Sequence, residues 1–209
     1  MKIRAFIFDL DGTLLDTIPL IRLSFEKVFS ELAIPWGHGE VLKTIGLPLQ
    51  EVARQYAPGR VEEFLRIYSA YQRSRHQELT RLFPGTRETL ESLVSSGYRT
   101  GVVTSKRRAP AAAGLALTGI DRYIEVTVTV EDIVRPKPDP ESVIRALELL
   151  NTRPEQAVYV GDSWYDIEAG RRAGVKTIGV TWGMATREEL LKAFPDSIID
   201  NWEELYGSL

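Results

Sequence analysis

The sequence predicts an α/β protein: a parallel-sheet core in three layers, with an all-helical unit inserted after its first strand. Three observations predict it. Short apolar runs (FIF, GVV, VYV) alternate with segments of helical periodicity through the second half of the chain, which implies crossover connections and a sheet covered on both faces. Each run ends in a polar residue: Asp9, Thr104 or Asp162. The stretch after the first run carries helical periodicity alone.

Lys2–Phe8 reads as a strand buried on both faces, closed by Asp9. Ile18, Ile21, Phe25, Val28, Phe29 and Leu32 then recur at helical steps, as do Val61, Phe64, Leu65, Tyr68 and Tyr71. Breakers separate them at Pro35 to Gly39, Gly46-Leu47-Pro48 and Pro58-Gly59. The helical unit is expected over 16–83, and the α/β core over 1–15 and 84–209. In the core, Thr86–Ser96 reads as a helix stopped by Gly97 and Arg99–Val103 as a buried strand. Arg107–Leu117 reads as a helix and Glu125–Val130 as a strand. Pro140–Leu150 follows as a helix, Ala157–Val160 as a strand, Trp164–Ala173 as a helix stopped by Gly174, and Val175–Val180 as a strand.

Composition narrows the function. The 209 residues are 44% hydrophobic and 26% charged, with a net charge of -3. Nothing in that balance suggests nucleic acid or an anionic membrane as a partner. The absence of cysteine removes disulfides, thiolate zinc sites and cysteine nucleophiles. The apolar start is interrupted by Asp9, which fails as a signal peptide, and no apolar run is long enough to span a bilayer. A cytoplasmic protein is expected, monomeric or weakly homodimeric.

Ligands of open parallel sheets bind at the carboxyl ends of the strands. Asp9, Thr104 and Asp162 are all expected at that edge. Asp9 and Asp11, one residue apart and followed by Gly12 and Thr13, are two anions that a divalent cation would reconcile. Taken singly, several of these residues have plainer readings. Asp-x-Asp-Gly can be an Asx-turn, and Thr104 a β-branched strand residue. Lys137, between Pro136 and Pro138, can be a solvated loop lysine, and Ser163 a helix N-cap. His76 is expected at the surface.

As a whole, FIFDLDGTLLDT resembles the first signature motif of the haloacid dehalogenase superfamily in its phosphatase form. VVTSK, RPKPDPE and YVGDSWYD resemble the later motifs, in order and over nearly the whole chain. The resemblance implies a Rossmann-like core under a helical cap. It implies a magnesium-dependent phosphohydrolase in which Asp9 is the nucleophile and a metal ligand. Asp11 would be the general acid/base and lend its backbone carbonyl to the metal. Thr104 and Ser105, with nearby N–H groups, would hold phosphoryl oxygens. Lys137 would neutralise nucleophile and phosphate, Asp162 would ligate the metal, and Asp166 would be an outer metal ligand, through water.

A carboxylate nucleophile needs no deprotonation at neutral pH, so neither histidine is required. Dehalogenases of the superfamily generally lack the second aspartate of the first motif, which is present here. A phosphomutase of the β-phosphoglucomutase kind is the rival enzyme, and a non-catalytic metal-binding protein the third reading. IGLPL, GVVTSK and KPDPE resemble the superfamily's inorganic pyrophosphatases, and the segment from Lys43 to Leu49 its phosphoglycolate phosphatases. A small phosphorylated anion is the expected substrate, with Lys43, Gly46 and Arg54 as its contacts in the cap.

Overall fold

The computed structural model describes residues 2–208. Its main sheet contains β1 (Ala5–Phe8), β4 (Arg99–Val103), β5 (Val126–Val128), β6 (Ala157–Gly161), β7 (Lys176–Val180) and β8 (Ser197–Ile199). All run parallel, in the order β5-β4-β1-β6-β7-β8. β1 is flanked on both sides, with Phe8 opposite Val102 and Val160, and its four residues are all buried. It is shorter than the run Lys2–Phe8 suggests, because Lys2 and Arg4 are exposed charges at its mouth.

Alternation along the strands feeds two cores. Phe6, Phe8, Val102, Val158 and Val160 pack against Leu90 and Leu93 of α4 (Thr86–Ser95) and Leu115 of α5 (Arg108–Thr118). Ala5, Ile7, Val103 and Tyr159 pack against Val143 and Leu147 of α6 (Glu141–Leu149) and Ala169 of α7 (Trp164–Ala173). This is the expected three-layer α/β architecture.

The helical segment has its own core, in which Phe25 and Phe29 of α1 (Ile18–Glu31), Val52 of α2 (Leu49–Tyr56), and Phe64 and Tyr68 of α3 (Val61–Leu79) meet. Each such buried side chain contributes roughly 1.5–3 kcal/mol. The segment joins the sheet through an antiparallel ribbon of β2 (Leu15–Asp16) and β3 (Arg81–Leu82), which pairs Leu15 with Leu82 and Asp16 with Arg81. The ribbon lies at the two ends of the expected unit 16–83. No described helix is long and apolar enough to cross a membrane.

Two expectations need correction, and the chain past Val180 adds two elements that none covered. The strand expected over Glu125–Val130 is reduced to β5, because Glu125 pairs with Arg99 and Thr129 opens a capping box with Asp132. Beyond Val180 the chain continues into α8 (Arg187–Leu191) and β8, elements of five and three residues, too short to leave a periodicity. His76 is half-buried rather than exposed. Its Nδ1 meets the Thr80 hydroxyl at 3.1 Å, and its buried Nε2 has no partner among the described residues.

Candidate active site

The sheet delivers three polar residues to one edge because the backbone ladder runs a residue past the strands. Asp9 N–H donates to the Val160 carbonyl at 2.9 Å, and Thr104 N–H to that of Val128 at 2.9 Å. Asp162 follows the last residue of β6. Lys137 enters from the loop before α6 and places Nζ 2.7 Å from Asp9 Oδ1 and 2.6 Å from Asp166 Oδ1. Its side chain is only 2% exposed, so this is no solvated loop lysine.

Asp166 has two tasks. Its Oδ2 accepts from the backbone N–H and hydroxyl of Ser163, at 3.1 and 2.5 Å, and forms the capping box that starts α7. Its Oδ1 accepts from Lys137 and from the Tyr159 hydroxyl at 2.9 Å. All four acceptor positions of the carboxylate are thus engaged, which sets Asp166 apart from Asp9 and Asp162 as a metal-holding group. Tyr159 is fully buried and also lies 3.4 Å from Lys137 Nζ. It is a site residue that strand periodicity hides, since its position in VYV reads as core.

Asp162 is cradled rather than paired. Its Oδ1 meets the Thr13 hydroxyl at 3.3 Å and its Oδ2 the Met184 N–H at 2.7 Å, both neutral donors. Backbone closes on it from two sides. A Cβ on Gly12, whose φ is +89°, would stand 2.3 Å from Asp162 Oδ2, and one on Gly183 would stand 2.2 Å from Asp162 Cβ. Only glycine gives that carboxylate room.

The electrostatics define what the cluster lacks. Oxygens of Asp9, Asp162 and Asp166 lie within 4.8 Å of one another, all buried. Lys137 is the one cation salt-bridged to them among the described residues, which leaves two negative charges uncompensated when all three carboxyls are ionised. Burial pushes the Asp9 carboxyl well above its ordinary range against the pull of Lys137, and Asp166 and Asp162 add to the rise. Burial and the neighbouring Asp166 carry the Asp162 carboxyl up to about 7. Burial opposes the charge on Lys137, but Asp166 and Asp9 outweigh it and hold the ammonium protonated. Hard carboxylate oxygens around a deficit of two charges fit a divalent cation, held by Asp9 and Asp162.

Asp11 has a separate set of partners. Its carboxylate accepts from the Thr17 hydroxyl at 2.5 Å and from Lys106 Nζ at 2.6 and 2.7 Å. Lys106 went unassigned in the sequence because a loop lysine after a strand carries no pattern of its own. Thr104 is buried, and its Oγ1 accepts from Lys106 N–H at 3.1 Å. The N–H groups of Leu10, Asp11 and Ser105 meet no acceptor among the described residues.

Ser105 Oγ donates to the Gly46 carbonyl at 2.5 Å and ties the helical segment to the crevice rim. Of the substrate contacts expected there, Gly46 is therefore at the site. Lys43 and Arg54 are exposed, and no polar contact joins them to a crevice residue among the described residues.

Comparison with known proteins shows the family. The family profile "Haloacid dehalogenase-like hydrolase" matches residues 6–180. "Putative pyrophosphatase PpaX" of Caldanaerobacter subterraneus subsp. tengcongensis is 41% identical over 98% of this chain and 94% of its own length. "Pyrophosphatase PpaX" of Bacillus mycoides is 36% identical over 98% of this chain and 96% of its own. A crystal structure of a haloacid dehalogenase-like hydrolase from Bacteroides fragilis superimposes with a TM-score of 0.90 at 31% identity, covering 98% of this chain and 100% of that one. With the strand that ends at Asp9, Lys137 and the acidic cluster inside the matched span, the chain belongs to the haloacid dehalogenase-like hydrolase family.

Proposed function

We propose that this enzyme is a magnesium-dependent phosphohydrolase that acts through an aspartyl-phosphate on Asp9, with pyrophosphate as its first substrate and phosphoglycolate as the second candidate. One observation carries the reading. Asp9 Oδ1 is held by Lys137, whereas Oδ2 accepts no hydrogen bond from the described residues, at the edge where the N–H groups of Leu10, Asp11 and Ser105 are free. A nucleophilic oxygen beside a cradle of donors is what phosphoryl transfer requires, since its catalysis is mostly positioning and charge stabilisation.

In the first half-reaction Asp9 Oδ2 attacks phosphorus. The bond from phosphorus to the leaving oxygen breaks, its electron pair stays on that oxygen, and protonated Asp11 supplies the proton. In the second, water attacks the phosphoryl group. Asp11 takes its proton, orthophosphate departs and Asp9 is regenerated. Lys137 and the free N–H groups carry the charge on the transferring oxygens, with Thr104 as a further donor. A bound magnesium ion, on Asp9, Asp162 and the Asp11 carbonyl, would screen the nucleophile from the anionic phosphoryl group. Residues 16–83 act as a cap domain, and the Ser105–Gly46 contact is the point at which it closes and excludes water.

The relatives named as pyrophosphatases support pyrophosphate. A structural neighbour at 26% identity and TM-score 0.89, described as "a predicted phosphoglycolate phosphatase" from Haemophilus somnus, supports the second candidate. The test is phosphate release from pyrophosphate, phosphoglycolate, sugar phosphates and nucleotides, with magnesium and with EDTA. Activity on pyrophosphate that EDTA and Asp9→Asn both abolish is the expected result. Asp9-independent release refutes the proposal. Interconversion of sugar phosphates dependent on a bisphosphate activator replaces it with a mutase.

A further inference from the structure

Two lysines reach the crevice. Lys137 is buried on the nucleophile side between Asp9 and Asp166. Lys106 stands on the other side, its side chain 12% exposed, bonded through Nζ to both oxygens of Asp11. No other cation contacts these carboxylates among the described residues. The main chain of Lys106 is anchored: its N–H donates to Thr104 Oγ1 at 3.1 Å and its carbonyl accepts from Val130 N–H at 3.3 Å. Its ammonium, by contrast, is held among the described residues by Asp11 alone. If the ammonium leaves, Asp11 keeps the Thr17 hydroxyl.

The group that protonates the leaving oxygen must lie on the leaving-group side of phosphorus. A cation fixed to that group therefore faces the departing half of the substrate. If that half is an anion, the charge left on Asp11 once its proton is given repels it, and an ammonium within reach of both relieves the repulsion. If it is an uncharged alcohol, the ammonium has nothing to gain by leaving Asp11.

We propose that Lys106 is the leaving-group cation of this site, exchanging Asp11 for the departing anion and so selecting substrates whose leaving group is itself charged. This rests on the phosphohydrolase reading above and deepens it. The shared chemistry is an anionic leaving group, phosphate from pyrophosphate or a carboxylate-bearing alkoxide from phosphoglycolate.

The experiment compares kcat/KM for pyrophosphate, phosphoglycolate and glycerol phosphate, whose leaving group is neutral, in wild type, Lys106→Met, Lys106→Gln and Lys106→Arg. Melting curves accompany each variant, and Lys192→Met, at an exposed pair with Glu188, is the control for loss of one positive charge. Loss of a charge-assisted contact predicts about a 100-fold fall with at least one anionic leaving group, against less than about fivefold with glycerol phosphate. Which of the two falls identifies the source of the anion. Lys106→Arg should recover most of the loss and Lys192→Met should move neither ratio. If a neutral variant is poorly folded, the other neutral variant and the arginine variant carry the comparison. Equal losses on all three substrates, or no loss, overturn the proposal, since Lys106 would then act only through Asp11 or not at all. A wild type that cleaves glycerol phosphate but neither anionic substrate overturns the substrate reading itself, before any variant is compared.

Discussion

Replacing Tyr159 by phenylalanine removes one oxygen atom from the centre of the site and leaves the ring in place. That oxygen donates to Asp166 Oδ1 at 2.9 Å and lies 3.4 Å from Lys137 Nζ, in a fully buried setting. The longer contact is weak. The shorter is a hydrogen bond to a charged group, worth roughly 1.5–3 kcal/mol. Asp166 keeps Lys137 and the two Ser163 donors, so no buried acceptor is orphaned, and the loss should stay near about 2 kcal/mol. In a chain of 209 residues each kcal/mol lowers Tm by about 2–4 °C, so Tyr159→Phe should melt about 4–8 °C below wild type. Burial, then the charge of Asp166, hold the phenol protonated well above its ordinary range, so the shift should be the same at pH 6 and pH 8. Calorimetry in EDTA reads it directly. Tyr206→Phe, which loses an exposed hydroxyl contact to Ser92 at 3.0 Å, should shift Tm by less than about 1 °C. A Tyr159→Phe protein that melts with wild type would mean that the hydroxyl contributes nothing to holding Asp166 and Lys137, and the account of that network would be wrong.

Three further outcomes follow from the same geometry. Gly183→Ala forces a methyl group into Asp162 and should weaken magnesium binding at least tenfold by calorimetric titration; unchanged affinity would remove Asp162 from the metal site. Ser105→Ala breaks the rim contact with Gly46 and should raise KM for pyrophosphate several-fold while lowering Tm by less than about 5 °C, the scale of one ordinary hydrogen bond. An unchanged KM would deny that contact a part in closure. The Asp162 carboxyl titrates near 7 in the folded metal-free protein, against an ordinary value of 3.8. Its neutral form is therefore favoured by folding, and the stability it contributes is complete below about pH 4 and lost as pH rises through about 7. Urea midpoints in EDTA should fall between pH 5 and pH 8, and Asp162→Asn should flatten that slope; equal slopes in the two proteins would contradict it.

The parts of the site that the sequence exposed share one physical trait. Asp9, Thr104 and Asp162 interrupt apolar runs, and a polar residue that ends a buried strand has few places to go except the sheet's carboxyl edge. Lys137 became legible only through its neighbours in the motif order, because proline on both sides says loop and says nothing of burial. Tyr159 and Lys106 left no trace for the opposite reasons: one looks like core and the other like surface. The two-residue strands of the ribbon and the short elements after Val180 were beyond reach because neither repeats often enough to set a period. His76 was misjudged because its contact with Thr80 depends on how α3 ends against the ribbon, which helical periodicity alone does not describe.

Asp166 opens a helix with one oxygen and steadies an ammonium with the other. Architecture and chemistry therefore share a single side chain, and a lineage abandoning catalysis could not discard it without also fraying α7. Asp11 carries no such burden, since its partners are side chains at the crevice mouth. If Asp11 is the acid/base proposed above, decay into a silent descendant should begin there and reach Asp166 last, so that an intact acidic cluster beside a replaced Asp11 would mark a retired catalyst rather than a working one.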